Sequence, residues 1–275
     1  MIYMFKLDDL LSLFPNEKTK EMLVYSYYLS QVKDKDLSNS VFEMLLSLKR
    51  QDPSIDIIFD TTKDGSHYNH MENTIYINSL SIEVFLHELT HLLSYNYLRY
   101  QIPQQYYSFR EIFLSNEDNQ SLIVGLLNMC KRSKDEILQK NDNKTIIEDN
   151  NKNVKKIPYT SKMNLISCIE DIIDSIYDGH SFSYGIKSIK DNNSIAIKAQ
   201  IASGHGCDYF SYNGFQFEEI LADYLAIKLT DPNNELFVLL KNILGIDFID
   251  FLDQRCYEIC GQMPKIETNS NISKK

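Results

Sequence analysis

The 275-residue chain has no uninterrupted apolar run of about 18 residues, the length a helix needs to cross a bilayer, so no membrane span is expected. Its first residues, Met1 to Asp9, lack a basic start followed by a long apolar stretch and do not read as a secretory signal. Cysteine is scarce: Cys130, Cys168, Cys207, Cys256 and Cys260 are odd in number and none stand in CxxC spacing. That speaks against a disulfide framework and for a reducing compartment, the cytoplasm of the producing cell. Cys256 and Cys260, one helical turn apart, read as small buried hydrophobes. Positive charge is in deficit, with 28 Lys and Arg against 38 Asp and Glu, a net charge of −10. Such a chain repels phosphate backbones and anionic bilayers, which argues against nucleic-acid binding and membrane insertion. No internal repeat of useful length is present. What remains, 43% hydrophobic and 24% charged residues, is ordinary globular usage.

The patterning predicts an α+β chain that is mostly helical. Residues 1–51 read as helices, with Phe5, Leu7, Leu10, Leu11 and Phe14 forming a stripe ended by Pro15, and a second apolar helical run from Val41 to Leu48. Ile55 to Asp60 and Thr74 to Asn78 carry the β-branched and aromatic residues of strands, separated by a long polar loop. Ser81 can cap the next helix, Glu83 suits its first turn, and Ile82, Phe85, Leu86, Leu89 and Leu93 give it an apolar face. Residues 131–157 turn to Lys, Asp, Asn and Glu and read as a mobile loop or insertion, a candidate lid over a cleft. Helical patterning resumes from Leu165 to Tyr177, from Phe217 to Leu229 and from Glu235 to Cys260. The expected organisation is one domain over 1–265, with a disordered tail over 266–275.

The helix after the second strand carries His87-Glu88-Leu89-Thr90-His91. Residues four apart share a helix face, so both imidazoles can reach one ion, and Glu88 can address a water held by it. Neutral imidazoles suit zinc, which acidifies a bound water into a hydrolytic nucleophile with the glutamate as general base. A catalytic zinc needs a third protein ligand. No histidine follows at H-x-x-G-x-x-H spacing, but Glu219 and Asp223 share a face on a later helix. Ala222 and Ala226 leave room there for close packing. Glu219 is the expected third ligand and Asp223 the acceptor for a ligand histidine N–H; Glu218, with no acidic residue four positions on, is the weaker choice. An oxyanion donor is expected from His205, between Gly204 and Gly206, or from Tyr209, ahead of Tyr212 or Tyr184. His67 and His70 read as turn or hairpin residues rather than ligands.

H-E-x-x-H followed by Glu219-Ile-Leu-Ala-Asp223 resembles the gluzincin group of zinc metallopeptidases. The order of Glu170 to Gly179, Gly204-His205-Gly206, Tyr209-Phe210 and Glu219 to Asp223 is similar to zincin-like domains of bacterial effectors, toxins and phage-associated proteins. The likeness covers residues 74–100 and 165–229. The thermolysin branch carries Asn at the position of Glu218. The resemblance implies a zincin-like fold with a small sheet beside the active-site helix and one catalytic Zn2+. It further implies hydrolysis of a peptide bond, with Thr74 to Asn78 as an edge strand that pairs with extended substrate. A specific protein substrate is expected, with a host protein reached by signal-peptide-independent secretion as one concrete case. The alternatives are an inactive zincin-like binding protein, a zinc amidase acting on a non-peptide amide, and a phage or injection-particle component.

Overall fold

Several helices begin here where a short polar side chain accepts from free first-turn amides. The computed structural model describes residues 5–60, 62, 65–98, 102–141, 161–177 and 213–261. After α1 (Leu7–Leu11), α2 (Glu17–Lys33) starts at Asn16, whose side chain accepts from the amides of Lys18 and Thr19. Asp34 ends α2 and caps α3 (Lys35–Gln51) by accepting from the Leu37 amide at 3.0 Å. Leu37, Val41, Phe42, Leu45 and Leu46 recur at helical spacing on α3 and are buried.

A three-stranded sheet follows: β1 (Asp56–Phe59), β2 (His67–Asn69) and β3 (Thr74–Ile77), in spatial order β1-β3-β2. β1 runs parallel to β3 and β2 antiparallel to it. Sequence patterning missed β2, which lies inside the expected long loop. Its turn into β3 is built by the Asn69 side chain, which accepts from the amides of Met71 and Glu72, and by Asn73 at φ 52°. The extra strand corrects the expectation that Thr74 to Asn78 offers a free edge. Both sides of β3 are hydrogen-bonded, and among the described residues the outer edge beside the next helix belongs to β2.

That helix, α4 (Ile82–Leu98), is capped by Ser81 Oγ, which accepts from the Val84 amide. Then come α5 (Gln104–Ser115), α6 (Glu117–Asn141), α7 (Ser161–Tyr177), α8 (Asn213–Thr230), α9 (Glu235–Leu244) and α10 (Ile246–Ile259). Residues 131–141, expected in a loop, continue α6. Leu126, Leu127 and Cys130 are buried in succession, Ile137 packs on the same core, and Lys134 bonds Glu170 of α7, so one face of this polar stretch has partners. The remainder of the expected loop and the tail over 266–275 lie outside the described residues. Cys130, Cys168, Cys256 and Cys260 are free thiols, all buried.

One buried apolar cluster runs from α1 to α10. α8 sits at its centre, packed chiefly on α4 and α7, with Ala222 and Ala226 fully buried on it. No described helix is long and apolar enough to cross a membrane.

Burial raises the Glu170 carboxyl from its ordinary value to about 7, with Lys134 pulling the other way. A carboxyl shifted upward on folding contributes stability below its unfolded pKa and loses it as pH rises through the folded one. Stability should therefore fall between pH 4.5 and about 7, by roughly 3 kcal/mol from this group. Urea titrations at pH 5 and 8 should show a steeper fall of stability in the wild type than in Glu170→Gln. Equal slopes in both would assign it elsewhere.

Candidate metal centre

α4 is buried nearly all round, although only one side of it is apolar. Phe85, Leu86, Leu89, Leu92 and Leu93 face the core, and the polar side, with His87, His91 and Ser94, is covered by α8. α8 in turn buries Glu218, Glu219 and Asp223 at no more than 1% exposure. Two polar helix faces can close on each other without water only if their groups are matched.

The matching is specific. His87 Nε2 and His91 Nε2 lie 3.0 Å apart. Glu219 Oε2 is 3.2 Å from His87 Nε2, and Glu219 Oε1 is 3.2 Å from His91 Nε2. On its other nitrogen His87 donates from Nδ1 to Asp223 Oδ1 at 2.6 Å. That bond fixes the tautomer and turns the Nε2 lone pair towards Glu219 and His91. Among the described residues, His87, His91 and Glu219 form the one group of His, Cys, Asp or Glu close enough to hold a metal ion, their ligand atoms all within 4.8 Å. Burial lowers the His87 pKa, but the charges of Asp223 and Glu219 outweigh it and hold the imidazole well above its usual value.

Glu88 points to the sheet. Its Oε2 accepts from the Tyr68 backbone amide on β2 at 2.8 Å. The free edge of the sheet and the carboxylate beside the first histidine are thus in contact, a link that a three-residue strand gives sequence patterning little chance of revealing. Glu218, the weaker candidate for third ligand, turns away from the histidine pair and accepts from Ser94 Oγ at 2.5 Å. Asp223 has a further neighbour in the buried thiol of Cys168 on α7. Burial, followed by the charges of Asp223, Asp171 and Glu83, pushes that thiol far above its ordinary range. Nothing in the spacing of Cys168 marked it.

At the start of α4, Asn164 of α7 donates to Ser81 Oγ at 2.5 Å and to Glu83 Oε2 at 3.5 Å, so α7 also anchors the helix that carries both histidines. His67 and His70 stand apart from the cluster, their rings against Tyr76 and Tyr95. His205 and Tyr209, the expected oxyanion donors, lie outside the described residues, as do Tyr184 and Tyr212.

Comparison with protein-family models, with curated proteins and with solved structures finds no match to the chain.

Metal content separates the roles of the neighbouring acids. Glu219→Ala should bind no ion, whereas Glu218→Gln should retain one per chain. Asp223→Asn should keep the stoichiometry and lose about 10- to 100-fold in affinity, as for other groups that orient a ligand histidine. Retention of full affinity by Glu219→Ala in a chelator competition would remove it from the ligand set.

The raised His87 pKa gives a pH dependence of definite sign. A protonated imidazole must release its proton before Nε2 can donate to an ion, so uptake is accompanied by proton release. Metal titrations should show affinity weaker by about one to two orders of magnitude at pH 6 than at pH 8. An affinity independent of pH would show that His87 is already neutral in the metal-free protein.

Proposed function

We propose that this protein is a zinc-dependent metallopeptidase with a zincin-like fold. The observation that carries the reading is the convergence of His87 and His91 from one helix with Glu219 from another, their donor atoms 3.0 and 3.2 Å apart. A metal ion needs one donor atom from each residue close to the others, and these three residues offer such a set, all three ligand atoms within 4.8 Å of one another. Two imidazoles and one carboxylate also match the His2Glu sets of catalytic zinc sites, which keep a fourth position for water or substrate.

A zinc ion held there supplies a Lewis acid that brings the pKa of water towards neutrality. Glu88 sits next to the first ligand and is the base that takes the proton as water attacks the scissile carbonyl. The same carboxyl returns that proton to the amine as the C–N bond breaks. Asp223 holds His87 in one tautomer throughout, and the Tyr68 amide keeps Glu88 in place. An extended peptide suits this arrangement, because the outer edge of β2, where Glu88 holds the Tyr68 amide, runs directly beside the proposed base. We read the substrate as one selected protein; delivery into a host cell follows from the resemblance to effector domains and not from any feature of the site.

Zinc-loaded protein incubated with a peptide library, its products read by mass spectrometry, tests the proposal. Wild type should cleave, and Glu88→Gln should lose about 10²- to 10⁴-fold in rate while keeping its zinc. Cleavage that survives Glu88→Gln would overturn the role of that residue. A wild type that binds one zinc and cleaves nothing would return the binding-protein reading.

A further inference from the structure

We propose that Ser94 and Glu218 form a metal-independent latch that sets α8 against α4 and thereby positions Glu219. The inference rests on the metal centre described above and concerns how that centre is preorganised.

α4 and α8 meet through three polar rungs: His87 with Asp223, the two histidines with Glu219, and Ser94 with Glu218. Position rises along α4 as it falls along α8, so the rungs form an antiparallel ladder. The first two use groups that a bound ion would engage or orient. The third does not. Ser94 is fully buried, Glu218 is 1% exposed, and their oxygens lie 2.5 Å apart. Glu218 Oε1 has no hydrogen-bond partner among the described residues. A buried carboxyl with one oxygen bonded is costly, and an apolar side chain would pack between these helices at less cost. A local departure of that kind is expected where position matters more than stability.

The geometry says what is being positioned. Glu218 and Glu219 are adjacent on α8, so their side chains leave the helix about 100° apart. Holding Glu218 on Ser94 fixes the rotation of α8, and with it the direction of Glu219. It also fixes axial register: a slip of one residue, about 1.5 Å, would take Glu219 out of contact with both histidines. In the metal-free protein this rung keeps the third ligand near the first two, so less rearrangement accompanies binding.

The test compares the full-length wild type with Ser94→Ala, Ser94→Cys and Glu218→Gln. Zinc affinity is measured by chelator competition well below the unfolding temperature, and amide exchange across α8 in the metal-free proteins. Ser94→Ala should keep one zinc per chain with affinity about tenfold lower, and its metal-free α8 should exchange faster. Ser94→Cys, which keeps the volume and a weak donor, should move both readouts in the same direction by less, and serves if Ser94→Ala does not fold. Glu218→Gln still accepts from the Ser94 hydroxyl and should stay within about threefold of wild type. A merely structural loss lowers global stability without changing the affinity of the folded molecules. Wild-type affinity and wild-type exchange in the Ser94 variants would overturn the latch. A wild type that binds no zinc would instead overturn the metal centre, and exchange across α8 would still report on the latch.

Discussion

Four ionisable side chains, His87, His91, Glu219 and Asp223, share a volume from which water is almost excluded, and the packing around them keeps them matched. Buried carboxylates and imidazoles are tolerable only when each finds an opposite partner. The apolar side of α4 and the small residues Ala222 and Ala226 of α8 bring the two helices close enough for that. α7 completes the enclosure through Cys168 and Asn164. Removing one member of such a set costs more than its own contact, because the remaining charges lose their compensation.

The small sheet serves the core through Ile57, Ile75 and Ile77 and also reaches the site. β2 has only three residues, yet its central amide holds Glu88. The hairpin that carries it is tied to α4 by reciprocal amide bonds between Asn73 and Asn96, at 3.2 and 2.9 Å. The Tyr68 hydroxyl donates to Asn73 at 2.7 Å. Burial pushes that phenol far above its usual range, so it stays a donor at any physiological pH. A polar network on one side of α4 thus places the proposed base, while a carboxylate network on the other side places the candidate metal ligands.

Much of this was legible along the chain because its signals are local. The Ser81 cap, the apolar run of α3 and the i, i+4 histidines of α4 depend on residues within a turn or two of one another. Where expectation and structure part, the missing information is long-range. Residues 131–141 look polar, but Lys134 finds Glu170 and Ile137 finds the core, so α6 runs on to Asn141. The three residues of β2 carry no alternation to detect, and their pairing with β3 takes away the edge that Thr74 to Asn78 seemed to offer.

The sequence by itself determined that the chain is helical around a short β segment, and that two histidines and a glutamate lie within one turn of α4, because helical periodicity is a property of neighbouring residues. It also narrowed the candidate third ligand to adjacent glutamates. Only the tertiary structure separates them: the rotation of α8 against α4 turns Glu219 onto both histidines and Glu218 onto Ser94, across more than a hundred residues of chain. That rotation is set by the simultaneous burial of two polar faces, a condition no single segment contains.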